Sequence, residues 1–219
     1  MSTSLQSLRN DHRDFFNGSL DVIPDGVHPY DYFCFWFDEA VQSGAVEPNA
    51  MNVATVDKKS MQPSSRIVYL KEFYEQGLVF FTNYNSQKAQ EINENPNVSL
   101  HFFWPNLERQ VRICGKAYKA PSLLSDKYFE SRPRSSQIGA WASEQSAVIE
   151  NRDALILKAE LVEKEFHGTI PRPDFWGGFV VYPNFYEFWQ GRPNRLHDRI
   201  CFEKIENNKD TWRIFRKNP

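Results

Sequence analysis

Basic side chains recur at every second position near the end of the chain. The stretch Glu187–Arg199 contains Arg195, His197 and Arg199. If it is a β-strand, these three side chains share one face, because successive side chains of a strand point to opposite faces. Basic groups on one face repel one another unless an anion lies among them, and Trp189 adds a flat apolar surface. The pattern predicts either a pocket for a flat anionic ligand or an edge strand whose charges face water.

A second set of anion-binding groups follows a predicted helix, Ser122–Arg132, which Pro133 ends. The segment Arg132–Ser136 supplies two guanidiniums and two hydroxyls in a predicted loop, and Tyr128 lies one helical turn before Arg132 on the same face. Forked guanidinium donors together with hydroxyls suit a phosphate. The alternative is a solvated helix end, where cations are favoured in any case.

Three more cations lie in the first half of the chain. Lys88 is in the first turn of a predicted helix, Ser86–Asn95, where free backbone N–H groups attract phosphate, although surface lysines are common at such positions. Arg66 and Lys71 are five residues apart on one predicted strand, Ser64–Phe73. In a regular strand they point to opposite faces and serve two different anions, unless a bulge turns one of them.

The composition narrows the classes of partner. The chain has 219 residues, of which 41% are hydrophobic and 25% charged, and a net charge of −2. This is ordinary globular composition, and it does not predict binding to nucleic acid or to an anionic membrane through overall charge. Its three widely spaced cysteines predict reduced thiols in a cytosolic protein. We expect neither a secretory signal nor a membrane span.

Several catalytic motifs are absent from the sequence. It contains no Gly-x-Gly-x-x-Gly, no Gly-x-x-x-x-Gly-Lys-Ser/Thr, no His-Glu-x-x-His and no Gly-x-Ser-x-Gly. These absences disfavour a Rossmann dinucleotide site, a P-loop, a zinc protease site and a serine hydrolase site. His197 beside Asp198 is not a metal-binding set, and we predict no metal.

The hydrophobic pattern predicts a mainly β protein with peripheral helices, in which antiparallel neighbours close into a β-barrel. Residues 1–27 form a polar arm that could be mobile or fold over a site, and residues 28–219 form a single domain. The predicted helices are 29–44, Ser86–Asn95, Ser122–Arg132 and Ala147–Phe166. The predicted strands are Met51–Val56, Ser64–Phe73, Gly77–Thr82, Val98–Trp104, Arg109–Tyr118, Phe175–Val181, Phe185–Gln190, Arg195–Glu203 and Trp212–Arg216.

Eight stretches, taken in order, resemble one known enzyme family. They are Ser65–Lys71, Phe80–Asn83, Glu108–Val111, Tyr128–Arg134, Ser136–Trp141, Gln145–Ser146, Phe175–Gly178 and Glu187–Arg199. In these stretches the chain resembles the pyridoxine/pyridoxamine 5'-phosphate oxidases, FMN enzymes that make pyridoxal 5'-phosphate. The last stretch is the most specific, with Glu-aromatic-Trp-Gln followed after four residues by Arg-Leu-His-Asp-Arg.

The resemblance implies an FMN-binding split barrel and a cytoplasmic homodimer with FMN at the subunit interface. It implies oxidation of pyridoxine 5'-phosphate and pyridoxamine 5'-phosphate by hydride transfer to FMN, with O2 as acceptor giving H2O2. The implied FMN contacts are Arg66, Ile67, Val68, Leu70, Lys71, Phe81, Thr82, Lys88, Gln110, Gln145, Ser146, Trp189 and Arg199. The implied contacts to the substrate phosphate are Lys71, Tyr128, Arg132 and Ser136. Arg195 and His197 would lie beside the pyridine ring as the catalytic pair.

The chain departs from the family pattern at two places. Gln87 stands where the family usually has arginine, which predicts weaker FMN binding by about 1.5–3 kcal/mol at most. Arg13-Asp14-Phe15 stands where the family often has Arg-Glu-Tyr, so a substrate-covering role of the arm is an open question. Two alternatives also stay open: a split-barrel flavoprotein acting on another substrate, and a non-catalytic protein that binds FMN or pyridoxal phosphate.

Overall fold

The computed structural model describes residues 14–22, 26–205 and 211–219, and this part of the chain holds nine strands and five α-helices. The strands are β1 (Ala50–Val56), β2 (Pro63–Tyr69), β3 (Glu72–Tyr74), β4 (Gly77–Asn83), β5 (Asn97–Trp104), β6 (Arg109–Lys119), β7 (Trp176–Gln190), β8 (Asp198–Lys204) and β9 (Trp212–Arg216). The helices are α1 (Pro29–Gln42), α2 (Gln87–Glu94), α3 (Ser122–Ser131), α4 (Arg134–Ala142) and α5 (Arg152–Glu165). The predicted mainly β content with added helices is confirmed.

The strands follow the hydrogen-bonded order β2-β1-β5-β6-β7-β4-β3, and β8 pairs with β7 and β9. The chain forms two compact units, each assembled from separate segments. The first unit comprises Met1–Pro48, His101–Ile113 and Phe185–Pro219, and the second comprises Asn49–Leu100 and Cys114–Asn184. The assignment of residues 28–219 to a single domain stays a prediction.

Helix α1 supplies the buried face of the first unit. It begins after His28, whose Nδ1 accepts a hydrogen bond from the Tyr30 amide at 3.3 Å, and Pro29 occupies its first position. Phe33 and Trp36, three residues apart, are almost fully buried. The helix ends before Gly44, whose φ of +72° is easily reached only by glycine.

The core of the first unit is largely aromatic. Phe33 packs on Phe102, with 5.2 Å between ring centroids, and Trp36 packs edge-to-face on Phe188 at 5.2 Å. The second half of β7 pairs with β8, so that Trp189 lies opposite Arg199 in the register. Large buried rings supply much apolar area per residue, which fixes the strands that carry the basic side chains.

In the second unit, β1 and β2 form one antiparallel pair and β3 and β4 form a hairpin. The predicted hairpin is confirmed, and its turn residues Glu75 and Gln76 both have positive φ, as a tight two-residue turn requires. The predicted continuous strand Ser64–Phe73 is wrong, because the chain changes partner after Tyr69. The Leu70 amide donates to Asn49 at 2.8 Å, whereas the next amide donates to Val79 at 2.9 Å.

Two helices differ from the prediction. The segment after Pro133 is not a loop, because α4 begins at Arg134, directly after this proline, which suits a helix start. The last helix begins at Arg152 instead of Ala147, since Asn151 caps it by accepting the Ala154 amide at 2.9 Å.

The C-terminal strands also differ from the prediction. β7 is one strand of 15 residues that runs through Pro183, which lies between the residues paired with β4 and those paired with β8. β8 begins at Asp198 instead of Arg195, because the preceding Pro193–Arg195 segment forms a 3₁₀ turn. The period-two argument for a shared face of Arg195, His197 and Arg199 is therefore wrong, and only Arg199 of the three lies on a strand.

A close backbone approach in the second unit allows a stability test. A Cβ on Gly115 would lie 2.3 Å from the Tyr182 carbonyl oxygen and 2.9 Å from Cα of Pro183. We expect Gly115→Ala to lower the free energy of unfolding, measured by urea titration, by about 1–3 kcal/mol, because backbone atoms must move. Gly168→Ala is the control, since nothing lies within 4 Å of its added Cβ. Equal stability of the two variants would contradict this account of β6 and β7.

Candidate functional site

The second unit contains a cavity of about 1050 Å³. It is lined by twelve of the predicted site residues: Arg66, Ile67, Val68, Lys71, Phe81, Thr82, Lys88, Tyr128, Arg132, Ser136, Gln145 and Ser146. Leu70 is buried and does not line it. Arg66 and Lys71 border the same cavity, because the chain changes its strand partner between them. The structure thus brings the predicted FMN and substrate-phosphate residues of this unit to one cavity.

Lys88 lines the cavity and is surrounded by neutral acceptors. It lies in the first turn of α2, and its Nζ donates to Thr82 at 3.0 Å, to Gln145 at 3.2 Å and to Ser86 at 3.3 Å. Among the described residues, no carboxylate forms an ion pair with it. Burial, reinforced by the positive charge of Arg66, lowers the pKa of Lys88 to about 8. An anion in the cavity would compensate the positive charge of Lys88.

Arg66 stands next to this lysine and is held by a buried carboxylate. Its guanidinium donates to Thr55 and Ser64, and it lies 3.6 Å from the Glu91 carboxylate. Burial alone would raise the pKa of Glu91, but hydrogen bonds from Thr55, Ser64 and Gln87 lower it, so this group is ionised at neutral pH. Glu91 therefore orients Arg66 and reduces the net positive charge beside Lys88.

Gln87, the departure noted in the sequence, has its own partner. Its side-chain amide donates to Glu91 Oε1 at 2.8 Å, one helical turn along α2. The amide therefore supports the carboxylate that orients Arg66. Because Gln87 also lines the cavity, it contributes polar surface there without adding a charge.

The second set of phosphate-binding candidates is built around Arg132. Its guanidinium carbon lies 4.6 Å from the Trp176 ring centroid, and its Nη1 is buried without a hydrogen-bond partner in the structure. Burial lowers the pKa of Arg132 from its ordinary value, and the group remains charged at neutral pH. A buried N–H without an acceptor is costly, so this donor is available to an anionic ligand.

Flat aromatic rings stand beside Arg132. Phe81 stacks on Tyr128 with 3.9 Å between ring centroids and an interplanar angle of 18°. Trp176 is nearly parallel to both rings. This stack holds the Tyr128 ring in place, and Tyr128 lines the cavity together with Ser136.

Arg134, the second guanidinium of the same sequence segment, has another role. It donates to Glu163 at 3.0 Å and to the carbonyl groups of Phe166 and Gly168. The prediction that both arginines of this segment face one phosphate is therefore wrong. Because α4 begins at Arg134, the Arg134 side chain joins this helix to the end of α5. Of these two arginines, Arg132 lines the cavity and Arg134 does not.

In the first unit, Arg195 and His197 lie on a turn before β8. Asn194 and Arg195 both have positive φ, at +57° and +60°, and the Arg195 side chain is exposed. The Arg192 amide donates to His197 Nδ1 at 3.1 Å. This bond assigns the ring proton of the neutral imidazole to Nε2. Burial, with a smaller contribution from the charge of Arg195, lowers the pKa of His197.

The described part of the N-terminal arm packs on this turn. Phe15 contacts the His197 ring at 5.6 Å and the Trp189 ring at 5.9 Å, both edge-to-face. The Asn194 amide donates to Asp14 at 3.1 Å. Arg13 and the rest of residues 1–13 lie outside the described residues, so the predicted mobility of the arm stays a prediction.

The remaining predicted residues also belong to the first unit. Trp189 lies 4.6 Å from the His197 ring, Gln110 Oε1 is 3.0 Å from His101 Nε2, and Arg199 donates to Glu187. The sequence argument missed three supporting side chains. Glu91 is detectable as the residue one turn after Gln87 in α2, and Ser64 as the residue two before Arg66 in β2. Thr55 gives no such signal, because only the β1–β2 register brings it opposite Ser64.

The chain is similar to known proteins over most of its length. The chain matches a family model described as pyridoxamine 5'-phosphate oxidase over residues 37–165. It also matches one described as the pyridoxine 5'-phosphate oxidase C-terminal dimerisation region over residues 176–219. It is 55% identical over 192 residues to a pyridoxine/pyridoxamine 5'-phosphate oxidase of Haemophilus influenzae, covering 88% of this chain and 90% of that protein. A relative with the same name from Burkholderia thailandensis is 46% identical over 217 residues, covering 99% of this chain and 100% of that protein.

Solved structures confirm the predicted split-barrel fold class. PhzG from Burkholderia lata, in complex with tetrahydrophenazine-1-carboxylic acid, aligns with a TM-score of 0.83 and 27% identity over 92% of this chain and 100% of that chain. A pyridoxamine 5'-phosphate oxidase-related, FMN-binding protein from Nostoc punctiforme aligns with a TM-score of 0.69 over 89% of this chain and 99% of that chain. At 16% identity, the second likeness concerns the fold alone.

Within residues 14–22, 26–205 and 211–219, no group of three or more His, Cys, Asp or Glu side chains could hold a metal ion. None of the helices in the described part of the chain has both the length and the apolar character needed to cross a bilayer.

The pKa of Lys88 leads to a pH-dependent test with sulfate, whose charge is constant above neutral pH. A lysine with a pKa of about 8 is charged at pH 7 and largely neutral at pH 9. We therefore expect sulfate affinity, measured by calorimetry, to fall by up to about tenfold as the pH rises through this range. Lys88→Met should abolish most of this pH dependence, whereas Lys116→Met, which changes an exposed lysine on β6, should preserve it. An equal decline in both variants would exclude Lys88 as its source.

Proposed function

Because the chain belongs to the pyridoxamine 5'-phosphate oxidase family, we propose that it oxidises pyridoxine 5'-phosphate and pyridoxamine 5'-phosphate to pyridoxal 5'-phosphate with FMN. One observation carries the proposal: a single cavity is lined by two sets of cationic and hydroxyl side chains. Lys88 with Arg66 forms one, and Arg132 with Tyr128 forms the other. FMN and a vitamin B6 phosphate each bring one phosphate group, so the two sites match the two ligands.

The first site fits the phosphate of FMN. Lys88 is buried without a carboxylate partner in the described structure, and Arg66 is already fixed by Glu91. The remaining lining from β2 and from Gln145 would hold the rest of the cofactor. FMN, when bound, would supply the acceptor for the hydride that leaves the substrate's C4' carbon, and dioxygen would take the two electrons to give hydrogen peroxide. With pyridoxamine 5'-phosphate, water would then replace the oxidised amino group, which would leave as ammonia.

The second site fits the phosphate of the substrate. Arg132 would donate the N–H that has no partner among the described residues, and Tyr128 and Ser136 would add hydroxyl donors. Lys71 is exposed at the rim of the cavity and would add a second positive charge. Holding the phosphate at a fixed point orients the pyridine ring, which is the main catalytic contribution that a protein makes to a cofactor reaction.

Arg195 and His197 would act on the substrate ring. A guanidinium is a poor base at its ordinary pKa, so we assign Arg195 to clamping and polarising the substrate near C4'. His197 has its Nδ1 occupied by the Arg192 amide, which leaves Nε2–H as a donor towards the substrate. Since its pKa is lowered, the imidazole is mainly neutral at pH 7, and its role is to orient the substrate.

The proposed active form is a homodimer with FMN at the subunit interface. The C-terminal match, over residues 176–219, is to a dimerisation region and includes Trp189, Arg195, His197 and Arg199. We propose that these residues complete the FMN and substrate sites in the dimer, together with Gln110. The cysteine content supports a cytoplasmic location, and neither nucleic acid nor a membrane is a proposed partner.

The reaction itself is tested with the purified protein. We expect a yellow protein with a flavin spectrum, which in air converts pyridoxine 5'-phosphate to pyridoxal 5'-phosphate with an equal amount of hydrogen peroxide. Unphosphorylated pyridoxine is the control, and it should react far more slowly because it lacks the group that Arg132 binds. Bound FMN with neither product would refute the oxidase proposal and favour a carrier or an enzyme for another substrate.

Two neighbouring arginines allow a matched test of the substrate-phosphate site. Arg132→Lys keeps the charge but loses the forked donor geometry, so we expect the KM for pyridoxine 5'-phosphate to rise about tenfold or more, with FMN affinity unchanged. Arg134→Lys is the control, because Arg134 contacts Glu163 and backbone carbonyls instead of the cavity. Steady-state kinetics and flavin fluorescence titration provide the two measurements. A KM rise of the same size in both variants would remove the assignment of Arg132.

A further inference from the structure

A buried carboxylate lies among three cations in the first unit. Glu187 on β7 is 7% exposed. Its Oε2 accepts from Arg112 Nη2 at 2.7 Å and lies 4.0 Å from Lys217 Nζ. Its Oε1 accepts from Arg199 at both Nη2, at 2.9 Å, and Nε, at 3.2 Å. One carboxylate therefore lies within 4.0 Å of three positively charged side chains.

The charge state of Glu187 follows from these contacts. Burial alone would raise its pKa, but hydrogen bonds and charge attraction from Arg112 and Arg199 lower it below the ordinary value of a glutamate. The carboxylate is therefore ionised at neutral pH. If the carboxylate were removed, the Arg199 guanidinium would lose the acceptor that its Nε and Nη2 share.

Arg199 is held from both sides. Its Nε and Nη2 bind Glu187, and its Nη1 donates to the Asn218 carbonyl at 2.9 Å. The Lys217 amide also donates to the Arg199 carbonyl at 2.9 Å, which fixes the C-terminal tail beside β8. These bonds leave one N–H on each terminal nitrogen of the guanidinium available to a ligand. The plane and position of the group are thus fixed before any ligand binds.

We infer that Glu187 is a positioning residue for the cofactor: it fixes the Arg199 guanidinium in the orientation in which Arg199 binds FMN. The inference rests on the proposed function, in which Arg199 contacts FMN. A preorganised guanidinium loses less conformational entropy when it donates to a ligand, so affinity depends on the residue that holds it. Glu187 itself needs no contact with FMN for this role.

The direction of the effect separates positioning from simple charge. Glu187→Gln removes a negative charge near a site for an anionic cofactor, so a purely electrostatic role predicts tighter FMN binding. A positioning role predicts weaker binding, because Arg199 loses its anchor. We expect the FMN dissociation constant of Glu187→Gln to rise about tenfold or more, measured by quenching of flavin fluorescence on titration with the apoprotein.

Four further variants complete the experiment. Glu203→Gln is the matched control, because it removes the carboxylate of another Glu–Arg pair, on β8 and solvent-exposed, and should leave FMN affinity unchanged. Glu187→Asp keeps the charge but shortens the side chain, so any loss of affinity there reports positioning. In an Arg199→Gln background, adding Glu187→Gln should change the dissociation constant by less than about twofold, because the two residues act as a unit.

The outcomes are distinct. Tighter or unchanged FMN binding by Glu187→Gln would overturn the inference, as would full additivity with Arg199→Gln. Wild-type protein that binds no FMN would instead refute the proposed function. If Glu187→Gln does not fold, as judged by circular dichroism and thermal melting of the apoprotein, Glu187→Asp decides alone, and unchanged FMN affinity in that variant would overturn the inference.

Discussion

The arrangement of the second unit depends on cations that are held partly out of water without a carboxylate of their own. Desolvating a charge is expensive, and a protein normally offsets this cost with an ion pair. Lys88 donates to three neutral oxygen acceptors in the described structure, and burial, reinforced by the positive charge of Arg66, lowers its pKa to about 8. Arg132 carries a buried N–H without an acceptor. An anion would stabilise each of these groups, which fits the proposal that FMN and the substrate each bring one phosphate.

Carboxylates in this chain orient the cations that line or approach the proposed sites, and they leave the ligand-facing donors available. Glu91 holds Arg66 through direct attraction and through shared hydroxyl partners. In the first unit, Glu187 holds Arg199 through direct hydrogen bonds and charge attraction. In each case the carboxylate is nearly fully buried and the arginine keeps some exposure. Such a pair fixes geometry, whereas its net contribution to stability is small once desolvation is included.

Local patterns in the sequence were sufficient where a single element decides the structure. The buried face of α1, the hairpin turn at Glu75 and Gln76 and the position of Lys88 in its helix all follow from spacing and turn chemistry. The change of strand partner after Tyr69 could not be predicted, because it depends on which strands pair in the folded sheet. The different contacts of Arg132 and Arg134 could not be predicted for the same reason. A helix begins after Pro133, so that Arg132 lines the cavity whereas Arg134 contacts Glu163 on α5.

The turn that carries Arg195 and His197 has a backbone conformation that the sequence pattern did not predict. Alternation suggested a strand, yet Asn194 and Arg195 adopt left-handed backbone angles that cost about 1 kcal/mol or more each for residues other than glycine. The surrounding bonds sustain this conformation, since Asp14 accepts the Asn194 amide and His197 accepts the Arg192 amide. Strain that is stabilised by several independent contacts keeps a loop in one conformation. For a proposed substrate clamp, that rigidity has the same value as the fixed guanidinium of Arg199: the donors are in place before the substrate binds.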